Sequence, residues 1–394
     1  MHTRLRNPTG FFVILAGLQL SACEQPAAPQ VVQQPPVTAP PLPAASVETD
    51  CSAPLEDAES TAASAADASS PQQLEAEWSV AWDLKTKGDH AAAAEKFEAF
   101  ANSHPQAARA AEAQVEAANS WINVGFQRRD HGRSNAAAQE AFSTALRHLD
   151  AVLARQDKAF AARAWYLRGN TKLYANDLAA AELEYSEVIR TYLSDQEWGR
   201  RALEKRSETR RHRLDTAGAI ADLDLYLRTW PTQDPERTKF LQRTKAYTIA
   251  SGTPAKPFAS QDWVQGTPMP LEMLLGEVVA LYFFSTQCSF CDAQRDTVAA
   301  WAKHLEGKVR FVGVLVPQQD KKSGAIVEPL DVARADVPKK RFDFPVVYDH
   351  GLRSAVSFMA SKPDMVLLDR EGRVRWHDSP KNLQPGTIAA LLAE

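Results

Sequence analysis

The chain has 394 residues and a formal net charge of −4, and 44% of its residues are hydrophobic and 24% charged. This composition excludes a wholly disordered or fibrous chain, and the length accommodates two or three domains. Because there is no basic excess, nucleic acid is not an expected partner. The cysteines, at positions 23, 51, 288 and 291, are too few for the disulfide scaffold of a small secreted protein.

The first residues are predicted to be an export signal. An apolar run at 11–20 follows two arginines; it is too short for a membrane span of about 20 residues but typical of a signal-peptide core. The string Leu20-Ser21-Ala22-Cys23 at its end resembles the bacterial lipobox. The resemblance implies that 1–22 is a lipoprotein signal peptide and that the lipidated Cys23 anchors the protein to the cell envelope, facing the periplasm.

Glu24 follows the lipobox cysteine. Lipoproteins kept in the inner membrane often have aspartate there, so the resemblance favours the outer membrane. The alternative is an ordinary secretory signal followed by a chance cysteine.

Residues 23–73 are predicted to be a disordered tether. Seven prolines fall between positions 26 and 43, and large apolar side chains are scarce. Such a segment neither supports regular hydrogen bonding nor buries enough surface to offset its chain entropy. Cys51 lies in this tether and is interpreted as an incidental exposed thiol; the alternative is an intermolecular disulfide or a tethered thiol substrate.

Residues 74–250 are predicted to form paired helices, because apolar side chains recur at helical spacing. A pattern of small, large and apolar residues follows breakers such as Gly88-Asp89 and Asn176-Asp177. It occurs at Ala93/Phe97/Phe100, Ala138/Phe142/Ala145, Ala181/Tyr185/Val188 and Ala219/Leu223/Tyr226. This pattern resembles the second helix of the tetratricopeptide repeat, and Trp165 and Gly169 resemble first-helix positions. The small residues are 45, 43 and 38 apart, against about 34 in that family, which indicates longer helices or irregular loops.

The repeat resemblance implies a solenoid that binds a client or partner protein. The alternative is a packing module with no partner. Arginines and one lysine are frequent between positions 200 and 213, and acidic residues are interspersed among them. We interpret this run as a solvated helix face rather than as a patch for nucleic acid.

Residues 251–394 are predicted to form an α/β domain. Glycines and prolines after Ser251 mark its boundary. The apolar run at 278–284 is typical of a strand buried on both faces of a sheet, and a helix is expected from the cysteine pair to about residue 305. Further strands are expected at 309–316, 345–348, 365–368 and 374–376, with a turn at 369–372, a helix at 352–359 and a final helix from about 385.

Cys288 and Cys291 form a CxxC motif at the predicted strand-to-helix junction, which is typical of a thioredoxin-like redox site. Free N–H groups at a helix N-terminus stabilise an anion, so they favour the reactive thiolate there. We therefore predict Cys288 as the nucleophile and Cys291 as the resolving thiol. The alternatives are a zinc site, a structural disulfide, an inactive domain and peroxiredoxin chemistry.

Residues 254–394 resemble the TlpA/ResA group of membrane-associated thiol–disulfide oxidoreductases, which have the thioredoxin fold. The similar segments are 274–279, the CxxC motif, 344–349 and 362–372. The resemblance implies a cis bond between Lys362 and Pro363, whose backbone docks substrate thiols. It also implies protein disulfide clients, a preference for reduction, and a membrane or periplasmic thiol as electron donor. We expect neither a cofactor nor a metal, because the sequence has no second CxxC motif to complete a zinc site.

Three positions depart from the family pattern. Gln294 stands where the family often has glutamate, and Tyr282 stands where thioredoxins have a buried carboxylate. The usual proton-transfer acid is therefore missing, and Asp292 or Asp296 is a candidate substitute. Proline is also missing at position 296, so the helix is expected to run without a kink.

The sequence thus predicts a multidomain chain, in which an all-α helical-hairpin solenoid precedes an α/β thioredoxin-like domain. Its predicted parts are a signal peptide at 1–22, a tether at 23–73, the repeats at 74–250 and the redox domain at 251–394. Two functions remain open: a lipid-anchored thiol–disulfide oxidoreductase, and an envelope scaffold in which the redox domain is secondary or a sensor.

Overall fold

The computed structural model describes residues 70–130, 134–231, 234–320 and 322–394. The predictions for the signal peptide, for lipidation of Cys23, for Cys51 and for the tether as far as residue 69 lie outside these residues. All described residues belong to one compact unit. Among them, no helix combines the length and the apolar character needed to cross a membrane.

Helices fill the first half of the described chain, and each one packs against the next. They are α1 (Pro71–Thr86), α2 (His90–Ser103), α3 (Ala110–Arg128), α4 (Ala136–Ala154), α5 (Lys158–Tyr174), α6 (Leu178–Tyr192), α7 (Trp198–His212), α8 (Thr216–Thr229) and α9 (Pro235–Ile249). The side chains of Asp89, Asn135, Asp177 and Asp215 accept hydrogen bonds from the backbone of the helices that they precede. These N-caps explain why α2, α4, α6 and α8 begin where they do.

The predicted small–large–apolar pattern forms the inner faces of the even-numbered helices. All twelve of its residues, from Ala93 to Tyr226, are at most 2% exposed. On the odd-numbered helices, glycines admit the large members of the pattern: a Cβ at Gly169 would lie 2.4 Å from the Tyr185 ring, and a Cβ at Gly125 would lie equally close to Phe142. The paired-helix prediction is therefore confirmed in its packing, whereas the tetratricopeptide assignment stays a prediction.

The C-terminal part is a six-stranded mixed sheet with the order β1-β4-β3-β2-β5-β6. The strands are β1 (Trp263–Gln265), β2 (Val278–Phe284), β3 (Val309–Leu315), β4 (Val346–Tyr348), β5 (Asp364–Leu368) and β6 (Val374–Asp378). Strands β2, β3 and β4 are mutually parallel, whereas β1, β5 and β6 pair antiparallel with their neighbours. This topology is consistent with the predicted thioredoxin-like domain.

Four helices accompany the sheet: α10 (Ser289–His304), α11 (Leu330–Asp336), α12 (Arg353–Ser357) and α13 (Pro385–Ala393). Side chains of the central strand β2 alternate between two apolar cores, so that Tyr282 lies in one and Phe283 in the other. This burial on both faces confirms the interpretation of the apolar run. Strand β1 and helix α11 were not predicted.

The helical part packs directly against strand β6. Arg211 on α7 donates hydrogen bonds to the Asp378 carboxylate at 2.5 Å and to the His377 carbonyl at 3.1 Å. The Tyr247 ring on α9 stacks on the His377 ring with centroids 3.9 Å apart. The solvated-face interpretation of the basic run is therefore wrong for Arg211, whose side chain is 10% exposed in this ion pair.

Two further arginines of the run also differ from that interpretation. Arg206 pairs with the buried Asp222 on α8, and Arg210 pairs with Glu182 on α6. Both arginine side chains are less than one-fifth exposed. The acidic partners come from neighbouring helices, so the run ties the helical pairs together.

Candidate active site

The cysteine pair lies where β2 ends and α10 begins. Cys288 is the N-cap residue of α10, and its sulfur accepts the Cys291 N–H at 3.1 Å. The two residues form a disulfide with their Cα atoms 5.1 Å apart. Cys291 is 3% exposed, whereas Cys288 is half-buried. Cys288 is therefore the more accessible sulfur, and its position at the helix N-terminus suits a thiolate.

The predicted docking segment precedes β5. The bond between Lys362 and Pro363 is cis, as predicted; its role in substrate docking stays a prediction. The Lys362 ammonium donates hydrogen bonds to the carbonyls of Val316 at 2.9 Å and Pro317 at 3.0 Å. Burial lowers the pKa of Lys362, and the nearby Glu328 carboxylate opposes that shift. The lysine side chain thus fastens the docking segment to the end of β3.

The two residues that replace the expected acids have structural contacts. The Tyr282 hydroxyl donates to the Cys291 carbonyl at 3.4 Å, and burial raises the pKa of Tyr282, with a smaller contribution from Asp292. The Gln294 side-chain oxygen accepts from Ser379 Oγ and from the Lys381 N–H, both at 3.0 Å. Gln294 therefore joins α10 to the segment after β6.

The two candidate substitutes, Asp292 and Asp296, are exposed and form ion pairs with basic side chains. The Asp292 side chain is 45% exposed and pairs with Lys340 at 2.6 Å. Asp296 is 86% exposed and pairs with Arg295 at 3.1 Å. Helix α10 runs continuously through position 296 to His304, so the expected unkinked helix is confirmed.

A buried carboxylate that the sequence reasoning missed lies behind the motif. Glu328 is 0% exposed, and its oxygens accept hydrogen bonds from the Ser285 hydroxyl at 2.6 Å and from the Thr286 N–H at 2.8 Å. Ser285 and Thr286 directly precede the cysteine motif, but Glu328 lies about forty residues later in the chain. No residue near Glu328 in the sequence points to this role, because its partners lie in other segments of the chain.

A groove beside the cysteine motif is lined by both the C-terminal part and the helical part. Phe290 directly precedes Cys291 and is 75% exposed. Together with Pro363 it lines one wall of the groove. Side chains of α7 and α9, among them Glu208, Arg237 and Phe240, form the opposite wall. A substrate that reaches the sulfurs through this groove therefore meets the helical part as well.

Among the described residues, no group of three or more His, Cys, Asp or Glu side chains is arranged to hold a metal ion.

Known proteins resemble the C-terminal third of the chain. Protein FixW of Rhizobium leguminosarum is 24% identical over 143 residues, which cover 33% of this chain and 60% of that protein. The chain thus matches less than two thirds of this curated relative. No family model matches.

Solved structures also match part of this chain. A thioredoxin-like superfamily protein is 25% identical and covers 36% of this chain and 97% of its own, with a TM-score of 0.31. A thiol-disulfide isomerase from Corynebacterium glutamicum is 20% identical and covers 36% and 98%, also with a TM-score of 0.31. The strand order and the disulfide at the N-terminus of α10 are consistent with a thioredoxin-like domain.

Proposed function

We propose that this chain is a thiol–disulfide oxidoreductase that reduces disulfides of protein clients. The observation that carries the proposal is the Cys288–Cys291 disulfide at the N-terminus of α10. The cis bond before Pro363 and the exposed Phe290 line the approach to it. A more accessible sulfur followed by a buried one is the arrangement that attack and resolution require.

In the proposed reaction the protein starts as the dithiol. The Cys288 thiolate attacks one sulfur of a client disulfide, and the other client sulfur leaves as a thiolate that takes up a proton. Cys291 then loses its proton and attacks the Cys288 sulfur, which releases the second client thiol and leaves the disulfide form described above. Two electrons pass to the client, so a thiol donor of the membrane or periplasm must reduce the pair again.

The experiment compares single cysteine variants in the reduction of a protein disulfide such as that of insulin. Cys288→Ser should abolish turnover, and Cys291→Ser should accumulate a mixed disulfide with the client. Cys51→Ser is the matched control, because it removes a thiol outside the pair and should leave turnover unchanged. Full turnover by the Cys288→Ser variant would contradict the proposal.

We further propose that the protein is lipid-anchored through Cys23, faces the periplasm and lies in the outer membrane. The lipobox and Glu24 in the sequence support this placement. Mass spectrometry of the N-terminal peptide and membrane fractionation of the wild type and of Cys23→Ser test it. A Cys23→Ser variant that fractionates with the membrane as the wild type does would contradict the anchor.

The helical part is proposed to bind the client or a partner protein, because its α7 and α9 side chains form one wall of the active-site groove. The second candidate function is an envelope scaffold with a redox domain that is secondary or a sensor, and the extent of the helical part favours it. The double variant C288S/C291S separates the two functions. If the double variant binds the same partners but no longer supports the wild-type cellular phenotype, the enzymatic function is supported. If the cellular phenotype is unchanged, the scaffold function is supported.

A further inference from the structure

Glu328 is a fully buried carboxylate that meets four donors. Its Oε1 atom accepts from the Thr286 N–H at 2.8 Å and from the Thr286 hydroxyl at 2.5 Å. Its Oε2 atom accepts from the Ser285 hydroxyl at 2.6 Å and from the Gln318 N–H at 3.0 Å. Each oxygen thus takes two hydrogen bonds, and a buried charge of this kind persists only when it is satisfied in this way.

These hydrogen bonds join separate segments around the disulfide. Ser285 and Thr286 form the turn into Cys288, and the Cys288 N–H donates to the Ser285 carbonyl at 3.4 Å. Gln318 belongs to the segment after β3, whose carbonyls at Val316 and Pro317 accept from Lys362. Through this segment the carboxylate is linked to the backbone at the cis proline.

We infer that Glu328 is a positioning residue, which fixes the position of the attacking sulfur of Cys288 relative to the docking segment at Pro363. The inference deepens the proposed function and rests on it, because this relative position matters only if a client disulfide docks there. A shift of reacting groups by about 1 Å can lower a rate about a hundredfold. Glutamine at position 328 would turn an amide nitrogen towards the N–H of Thr286 or of Gln318, so one backbone donor would lose its acceptor.

The carboxylate also acts on the balance between the disulfide and the dithiol. Its negative charge opposes the thiolate that forms when the pair is reduced, and its hydrogen bonds hold the turn in the form seen with the disulfide. Both effects favour the disulfide. Removal of the charge should therefore shift the equilibrium towards the dithiol.

The test compares Glu328→Gln with Asp320→Asn, a matched exposed acid in the same connection between β3 and α11. The redox equilibrium of the folded protein is measured against glutathione, and kcat and KM are measured for reduction of a protein disulfide. Glu328→Gln should shift the equilibrium about fivefold or more towards the dithiol and lower kcat/KM about tenfold. Asp320→Asn should change neither quantity.

A purely structural role would lower the melting temperature of Glu328→Gln but leave the equilibrium constant and kcat/KM of the folded protein unchanged, and that result would overturn the inference. If Glu328→Gln does not fold, Ser285→Ala and the isosteric Thr286→Val remove two donors but keep the charge. They should lower kcat/KM in the same direction, and wild-type values in both would overturn the inference. The glutathione equilibrium reports on Glu328 even if the wild type reduces no protein disulfide, so failure of the proposed function is recognised separately.

Discussion

Acidification should weaken the contact between the helical part and the sheet, because a buried histidine lies in it. His212, the last residue of α7, is 0% exposed, and its Nδ1 atom lies 2.8 Å from Thr387 Oγ1 on α13. Its ring stacks near Trp376 of β6, with centroids 5.8 Å apart. Protonation would place a charge between these elements, where water does not reach it.

The direction of the effect follows from the surroundings of the ring. Burial lowers the pKa of His212 from 6.5 to about 4. Glu208 and Asp378 oppose this shift, whereas Arg211 and Lys205 add to it. The pKa of Asp378 is itself lowered from 3.8, since the adjacent Arg211 outweighs the effect of burial, so Asp378 stays ionised down to pH 5.

The magnitude follows from linkage between protonation and folding. Below pH 6.5 the unfolded chain binds a proton at this histidine that the folded chain does not bind, so stability falls as the pH falls from 6.5 towards 4. Between pH 7 and pH 5 these two pKa values correspond to a loss of about 2 kcal/mol in the free energy of unfolding. The loss is complete only below the folded-state value.

Chemical denaturation at pH 7 and pH 5, followed by tryptophan fluorescence, measures this loss. His212→Gln keeps a polar partner for Thr387 but does not titrate, so the wild type should lose about 2 kcal/mol more than this variant. His350→Gln is the control, because the His350 side chain is 43% exposed. If the wild type and His212→Gln lose equal stability, the reasoning is refuted.

Three further predictions concern packing, the interface and the groove. Gly169→Ala should lower the free energy of unfolding by about 2 kcal/mol, because its Cβ would overlap the Tyr185 ring; an unchanged denaturation midpoint would contradict this. Arg211→Met and Asp378→Asn should each lower the free energy of unfolding by about 1–3 kcal/mol, and the double variant should lower it by less than the sum of the two. If the two losses simply add, Arg211 and Asp378 do not stabilise the protein as a pair. Phe290→Ala should change the free energy of unfolding by no more than about 0.5 kcal/mol. It should slow the reduction of a protein disulfide more than the reduction of a small-molecule disulfide, and equal slowing of both would contradict contact between Phe290 and the client.

Patterns that depend on near neighbours in the sequence were predicted well. The spacing of Ala181, Tyr185 and Val188 gives the buried face of α6 directly, since residues three and four apart share one side of a helix. The apolar run at 278–284 likewise has the composition of a strand with two buried faces. The CxxC motif predicts both the N-terminus of α10 and the cysteine pair, because a separation of three residues brings the two cysteines together in the first turn of a helix.

Features that depend on distant residues were not predicted. Strand β1 has three residues and pairs only with β4 at the edge of the sheet, which is too short to show a periodicity. Glu328 has no local signal, because its partners lie in other loops. Arg211 was interpreted as solvated, since its partner Asp378 lies 167 positions later; α7 is hydrophilic because it carries ion pairs to other elements.

The outer edge of strand β6 is covered by residues near the boundary between the predicted repeats and the predicted redox domain, so the place where the chain is cut decides whether that edge is exposed. An open edge strand offers free N–H and C=O groups to other chains. Here the backbone at Gly252 and Thr253 pairs with Val374, and Arg211 caps the His377 carbonyl. A fragment that begins after these residues would bare this edge and the Trp376 ring together, and it would self-associate at concentrations where the intact protein does not. The composition change near residue 251 therefore marks the change from helices to a sheet. The edge of that sheet is nevertheless covered by residues that precede position 251 as well as by residues that follow it.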